Sequence, residues 1–278
     1  MKRAVIAGIF VAVVLSPIMA PGGRPASAQS LNFSSGGSDV PIEIFAENGI
    51  EWQQEELIFL ARGNARAVRG EVEVRADLLR AYYRRSETGA TVITRLDAEG
   101  NVKIITPGEK AYGNKGIYDI ENAVLVLSGG KVRYVTANDE ITADNQIEYW
   151  EKKQMAVARG NAVATHEGKR LRADVMAAYF RNNEKGKSSV YRVEAFDNVR
   201  IDTDKDQAAS DRAVYNVESG IATLTGSVKI IREQNELNGC SAEVNLNTGI
   251  SKLFSCPSAV QGGERVRGFL KPNSGKKK

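Results

Sequence analysis

Few residues in this chain are spaced to do chemistry. Its single histidine, His166, lies in a polar turn without a cysteine, histidine or acid at the spacing a zinc site requires. A column of turn residues, Asp77, Asn114, Asp144, Asp174 and Asp211, offers oxygen ligands, but such side chains at bends ordinarily cap their own turn. No glycine-rich phosphate loop precedes a helical stretch, and no nucleophile elbow is present. Carboxylates recur at repeated positions, which fits structure better than a unique acid–base pair. The sequence points away from an enzyme, and no metal or other cofactor is expected. The two cysteines, Cys240 and Cys256, carry the one covalent expectation. Ser241 to Leu246 and Ile250 to Ser255 read as a hairpin, and a turn centred on Thr248 sets the two thiols opposite each other. Cross-strand neighbours ~4.5–5.5 Å apart are within disulfide reach, so a Cys240–Cys256 bond is expected.

The elements that would position these groups come from a repeat. Residues 46–67 and 143–164 align without a gap at a shift of 97, and both contain Ala-Arg-Gly-Asn-Ala. The register persists: Arg75-Ala76-Asp77 matches Arg172-Ala173-Asp174, and Tyr118 matches Tyr215. The chain therefore contains an internal duplication, 47–143 and 144–240. Inside each half, small or turn-forming residues such as Gly63, Asp77, Gly100, Asn114 and Gly129 recur at steps of 14 to 16. Two steps of 23 hold the polar segments 84–90 and 181–188, which read as loop insertions. Between these landmarks apolar and polar residues alternate, as in Val102-Lys103-Ile104. Period two marks strands with one dry and one wet face. Two strands per interval give about two dozen strands shared between two sheets, a stack ~60 Å long. The expected fold is all-β: an elongated, folded-over antiparallel two-sheet stack built from tandem repeats.

The inward positions of such a stack mix sizes. Leu60, Leu127, Val157 and Leu224 form one column. Ala65, Val102, Val132, Ala162, Val199 and Val228 form another, with Ala67, Ile104, Tyr134, Ala164, Ile201 and Ile230 two residues further on. Two interiors are consistent with this pattern. The columns fill each other as a narrow core, or the small residues leave a slot for acyl chains, at ~0.8 kcal/mol per buried methylene. An aromatic column, Trp52, Tyr82, Tyr118, Tyr149, Tyr179 and Tyr215, reads as cross-strand stacking or as an amphiphile-contacting lip. Arg66, Lys103, Arg133, Arg200 and Lys229 read as a solvated face or as an attractor of anionic head groups.

The chain opens with Met1-Lys2-Arg3, an apolar stretch from Ala4 to Ala20, and Ala26-Ser27-Ala28 before Gln29. That is the form of a secretory signal peptide over 1–28, cleaved after Ala28, with a retained anchor as the alternative. Residues 29–40 read as a linker, 41–260 as the folded domain and 261–278 as a flexible basic tail. Removing Lys2, Arg3 and Arg24 lowers the net charge from +4 to +1. A nucleic-acid partner would usually need a larger positive excess, so none is expected.

Val40-Pro41-Ile42-Glu43-Ile44, the run Leu57 to Ala67 and Val74-Arg75-Ala76-Asp77 resemble the OstA-like family of lipopolysaccharide export proteins, the LptA, LptC and LptD β-jelly-rolls. The likeness extends from about Val40 to Leu270. It implies a bent β-jelly-roll in the periplasm that holds the lipid A acyl chains of lipopolysaccharide in a groove. It further implies a bridge between inner and outer membrane, made by joining end to end with LptC-like and LptD-like β-jelly-rolls, and head-to-tail self-association. The motor of such a system is an ATPase elsewhere. An open stack exposes an edge strand at each end. Here those edges carry Ile42 and Ile44 at one end and Ile250 and Leu253 at the other, suited to β-augmentation by a partner strand. The alternatives are an anchored LptC-like member, which requires an uncut leader, and a non-lipid structural β-repeat protein with a filled interior.

Overall fold

The computed structural model describes residues 41–87, 89–182, 188–204, 206–256 and 265–271. The leader over 1–28 and the linker over 29–40 lie outside the described residues. The first half contributes β1 (Glu43–Phe45), β2 (Ile50–Gln53), β3 (Ile58–Arg69), β4 (Val72–Arg85), β5 (Thr91–Ile105), β6 (Lys110–Asp119), β7 (Val124–Ser128), β8 (Val132–Val135) and β9 (Asp139–Ala143). The second contributes β10 (Gln146–Trp150), β11 (Met155–His166), β12 (Lys169–Asn182), β13 (Ser188–Asp202), β14 (Asp206–Asn216), β15 (Ile221–Arg232), β16 (Asn235–Asn245), β17 (Ile250–Phe254) and β18 (Arg267–Phe269). All eighteen join one antiparallel hydrogen-bonded sheet, each rung pairing with its neighbours in chain order. The fold is an elongated β-jelly-roll.

The sheet is creased along its length, and the landmark residues lie on the crease. In β3, β5, β11, β13 and β15 two consecutive residues take positive φ: Gly63-Asn64, Gly100-Asn101, Gly160-Asn161, Asp197-Asn198 and Gly226-Ser227. The ladder slips there; Arg62 faces Leu78 but Ala65 faces Ala76, so β3 carries one extra residue. A bulge of this kind bends the strand and sharpens its twist, and stacking it on alternate rungs folds the ribbon. The intervening rungs supply the acceptors. Asn101 Nδ2 donates to Asp77 Oδ2 at 2.9 Å, and Asn161 and Asn198 repeat the bond to Asp144 and Asp174 at 2.8 Å each. A Cβ on Gly100 would collide with the Asp77 carboxylate, and one on Gly226 with that of Asp211, so glycine serves there both for its φ and for its lack of a side chain.

Several expectations need correction. Among the described residues there are eighteen strands where two dozen were expected, and the two layers of the folded-over stack are the arms of one continuous creased sheet. The physical reason is that most strands cross the crease on a bulge without breaking. Only some rungs divide there, as β7 and β8 do around Gly129-Gly130. The two longer steps do not simply add loops. Arg84 and Arg85 pair with Val92 and Thr91, extending the β4–β5 hairpin, and Arg181 and Asn182 pair with Ser189 and Ser188 in the matching hairpin. Part of the expected tail is strand, since Arg267–Phe269 pairs with Glu236–Asn238 of β16. The C-terminal hairpin pairs Asn245 with Ile250 and Ser241 with Phe254, so it centres between Asn247 and Thr248, half a residue from the expected point. Cys240 and Cys256 are nevertheless disulfide-bonded, with their Cα atoms 5.0 Å apart.

Alternation sends one face of both arms inward. The inward residues nearest the crease, Ala65, Val102, Val132, Ala162, Val199 and Val228, are completely buried. They are small or β-branched, as the narrow angle between two arms of one ribbon requires.

A candidate amphiphile groove between the two arms

Away from the crease the arms diverge, and the interior is not filled evenly. Toward the N-terminal end lies a cleft of about 790 Å³ whose wall includes Ile44, Leu60, Ala67, Val102, Ile104 and Tyr118. Charged residues enter that lining only as Arg80 and Asp97. Toward the C-terminal end lies a second cleft of about 950 Å³, walled by Leu171, Ile201, Tyr215, Leu224 and Ile230. Charged residues enter its lining as Lys169, Arg170, Asp206 and Arg232. Concave spaces with mostly apolar walls and a few polar groups are the usual form of a small-molecule site.

Between the clefts the interior closes. Ile141, Ala158 and Met176 are buried to within a few per cent and line neither space. The candidate groove residues therefore divide three ways. Leu60, Ala67, Val102 and Ile104 line the first cleft, and Ile201, Leu224 and Ile230 the second. Ala65, Leu127, Val132, Tyr134, Val157, Ala162, Ala164, Val199 and Val228 are buried in the closed core and line neither. They sit at the crease or on the central rungs, where the arms are packed together. Sequence reasoning missed Leu96 and Ala98 in the first cleft and Val193 and Ala195 in the second. The signal was available, because these are alternating positions of β5 and β13 and lie 97 residues apart.

The aromatic column splits between faces. The Tyr118 hydroxyl donates to Glu151 Oε1 at 2.9 Å while its ring lines the first cleft, and Tyr215 lines the second. Tyr149 meets Phe180 edge-on with ring centroids 6.1 Å apart. Trp52 is exposed at the first rung, stacked on Phe59 at 5.3 Å, with its Nε1 donating to the Tyr83 hydroxyl at 2.8 Å. Three members of the basic column are ion-paired on a solvated face: Arg66 meets Glu73 at 3.1 Å, Arg133 meets Glu140 at 2.6 Å and Lys229 meets Glu236 at 2.9 Å, while Lys103 lies over the Tyr112 ring.

One polar cluster penetrates the closed centre. Glu109 is 3 % exposed, and burial pushes its pKa up to about 7. The neighbouring Tyr134 hydroxyl opposes that shift, yet neither it nor either Glu109 oxygen closes a hydrogen bond of normal geometry. Two rungs on, His166 Nδ1 lies 2.6 Å from Asp139 Oδ1, and the Thr136 hydroxyl donates to Asp139 Oδ2 at 2.9 Å. Burial raises the Asp139 pKa, against the pull of His166 and Thr136. His166 thus has an acidic partner after all. It lies 27 residues away on an adjacent strand, β9, a spacing that no local motif reveals.

The two ends of the ribbon differ from its middle. Among the described residues the first rung, β1 with β2, pairs only with β3, and Phe45, Ile50 and Trp52 are exposed along it. At the other end β17 pairs with β16 and with no second strand among the described residues, and Ile250 and Phe254 are exposed. Ile44 packs against the core from the first edge and Leu253 from the last. Ile42 does so from just before β1.

Comparison with known proteins gives the following. The family described as LptA/(LptD N-terminal domain) LPS transport protein matches this chain twice, over residues 44–145 and 140–250. An uncharacterised protein of Rhizobium meliloti (strain 1021) is 25% identical over 131 residues, 46% of this chain and 68% of its own. The crystal structure of LptH, the LptA-homologous periplasmic component of the lipopolysaccharide transport device of Pseudomonas aeruginosa, covers 48% of this chain and 95% of its own. The sequence identity of that pair is 18% and the TM-score 0.41.

Proposed function

We propose, from the premise that this chain belongs to the family of LptA and LptD N-terminal-domain LPS transport proteins, that it is a periplasmic carrier holding the acyl chains of lipopolysaccharide between its two arms. The observation that carries this reading is the pair of apolar clefts, which one creased sheet leaves open where its arms diverge. An acyl chain entering such a wall gains ~0.8 kcal/mol for each methylene it buries.

The exposed first and last rungs support a bridging role. A strand edge with apolar neighbours is a template for another strand. Ile42 and Ile44 at one end, and Ile250 and Leu253 at the other, would receive LptC-like and LptD-like β-jelly-rolls or a second copy of this chain. Joining edges in this way also joins the spaces between the arms.

The test is photo-crosslinking in cells. A crosslinker at Ile104 or Ile201 is expected to form lipopolysaccharide adducts, while one at Lys103 or Arg200, on the wet face, is not. Adducts confined to the wet face would overturn the proposal. Export is checked separately: a mature N-terminus at Gln29, read by mass spectrometry, is the expected product.

A further inference from the structure

We infer that the chain has two separate acyl-chain sites, one per duplicated half and walled off from each other, and that the C-terminal site alone seats an anionic head group. This rests on the carrier reading above and deepens it.

Three observations carry the inference. First, the clefts are copies. Leu96, Ala98 and Ile104 line the N-terminal cleft, and Val193, Ala195 and Ile201, each 97 residues later, line the C-terminal one. Second, the wall is built by the same duplication. Leu79 lines the first cleft, but its counterpart Met176 is fully buried among the central rungs and lines neither. The second half has preceding rungs to pack against, and the first half begins the ribbon. The joint between halves is thus solid where each half's far end is open.

Third, the linings differ in charge. Lys169, Asp206 and Arg232 line the C-terminal cleft, with Arg232 held bidentate on Asp206 at 2.5 and 2.8 Å. Their counterparts in the first half are Val72, Glu109 and Val135. The lining of the C-terminal cleft thus holds three cations, Lys169, Arg170 and Arg232, against Asp206, whereas that of the N-terminal cleft holds Arg80 against Asp97. The first half has no cation at the matching positions. An anionic head, such as a phosphate on the end of an alkyl chain, would gain charge-assisted hydrogen bonds from Lys169 and Arg232 while its chain lay against Ile230 and Ile201. In the N-terminal cleft the one lining cation, Arg80, is tied to Glu99 at 2.8 Å and is offset by Asp97 in the same wall.

The experiment uses the full mature chain, with dodecyl phosphate and dodecyl maltoside as probes and native mass spectrometry as the readout. Two dodecyl phosphate molecules per chain are expected for the unaltered protein, which needs no variant to fold. Ala98→Trp and Ala195→Trp should each remove one. Where tryptophan costs the strand signal in circular dichroism, Leu96→Phe and Val193→Phe fill the same clefts more gently. Arg232→Gln should weaken one dodecyl phosphate step about tenfold and leave dodecyl maltoside unchanged, and that sensitivity should vanish in Ala195→Trp. A single bound molecule, lost in either filling variant, overturns the partition and leaves the carrier reading standing. An Arg232→Gln effect on both steps, or on neither, overturns the head-group assignment. No bound dodecyl chain of either kind overturns the carrier reading itself.

Discussion

Glu109 and Asp206 occupy the same corner of the two halves, 97 residues apart, and meet opposite environments. Each closes a tight turn after a threonine, Thr106 N bonding Glu109 O at 3.0 Å and Thr203 N bonding Asp206 O at 2.9 Å. Asp206 then finds Arg232, whereas Glu109 is buried beside Tyr134 with no cation. One duplicated turn has become a charged cleft lining in one half and a sealed joint in the other.

That difference predicts a pH dependence. Burial raises the Glu109 pKa from 4.5 to about 7, so the folded chain holds a proton that the unfolded chain has released across that window. Stability therefore falls as pH rises from about 4.5 to about 7 and stays low above it, a penalty of roughly 3 kcal/mol at most. Glu109→Gln removes the charge without removing the shape. Urea unfolding should show the variant more stable than the parent at pH 8 and indistinguishable from it near pH 4. A constant difference at both pH values would sink the assignment.

The crease makes a second prediction with its own control. Gly100 has φ +76° and its Cβ would strike Asp77, whereas Gly70 has φ +57° with open space around it. Gly70→Ala bears only the left-handed backbone cost, about 1 kcal/mol. Gly100→Ala adds a collision inside a repeated hydrogen-bonded column and should lose about 2–4 kcal/mol. Equal losses in denaturant unfolding would mean that the Gly–Asx contact contributes nothing.

How much of this was written in the residues depends on whether the cause is local. The crease was legible because left-handed backbone favours Gly and Asx, and that preference recurs where the ribbon folds, with Ser227 the exception. Inward and outward faces were legible for the same reason, since a strand alternates regardless of its neighbours. What could not be read was how far apart the arms stand. Ala162 and Ala67 have the same residue type and the same parity, yet one is sealed in the centre and the other lines a cleft. That distinction depends on every rung between them. His166 and Asp139 illustrate the same limit, because their contact is made by strand pairing across a hairpin-sized gap and by no motif.

The central wall gives a third prediction. Met176 and Leu79 are counterparts, but Met176 is 0 % exposed and packed on all sides, while Leu79 faces the first cleft. Cutting each back to alanine should separate wall from groove. Met176→Ala leaves a void inside a closed core and should cost about 2–5 kcal/mol. Leu79→Ala enlarges a space that is already open and should cost clearly less. Equal costs would mean that the two positions are packed alike, and the distinction between wall and cleft would lose its energetic basis.

The disulfide predicts where the C-terminal edge fails first. Cys240 and Cys256 are 16 residues apart, so the bond closes a short loop around β17, and closing a loop of this size contributes about 3 kcal/mol in the chain-entropy picture. The strand it holds is otherwise weakly tied: β17 pairs with β16 over five residues from Ser241 to Asn245, and Ile250 and Phe254 are exposed. Cys240→Ser with Cys256→Ser should therefore act locally before it acts globally. Hydrogen exchange is expected to lose protection in Ile250–Phe254 and in the facing half of β16, with β4 and β5 unchanged under native conditions. The same double variant should weaken edge-to-edge association at this end and spare the edge at β1. Uniform loss of protection along the ribbon would show instead that the bond supports the whole sheet, and that the last rung is no more fragile than the rest.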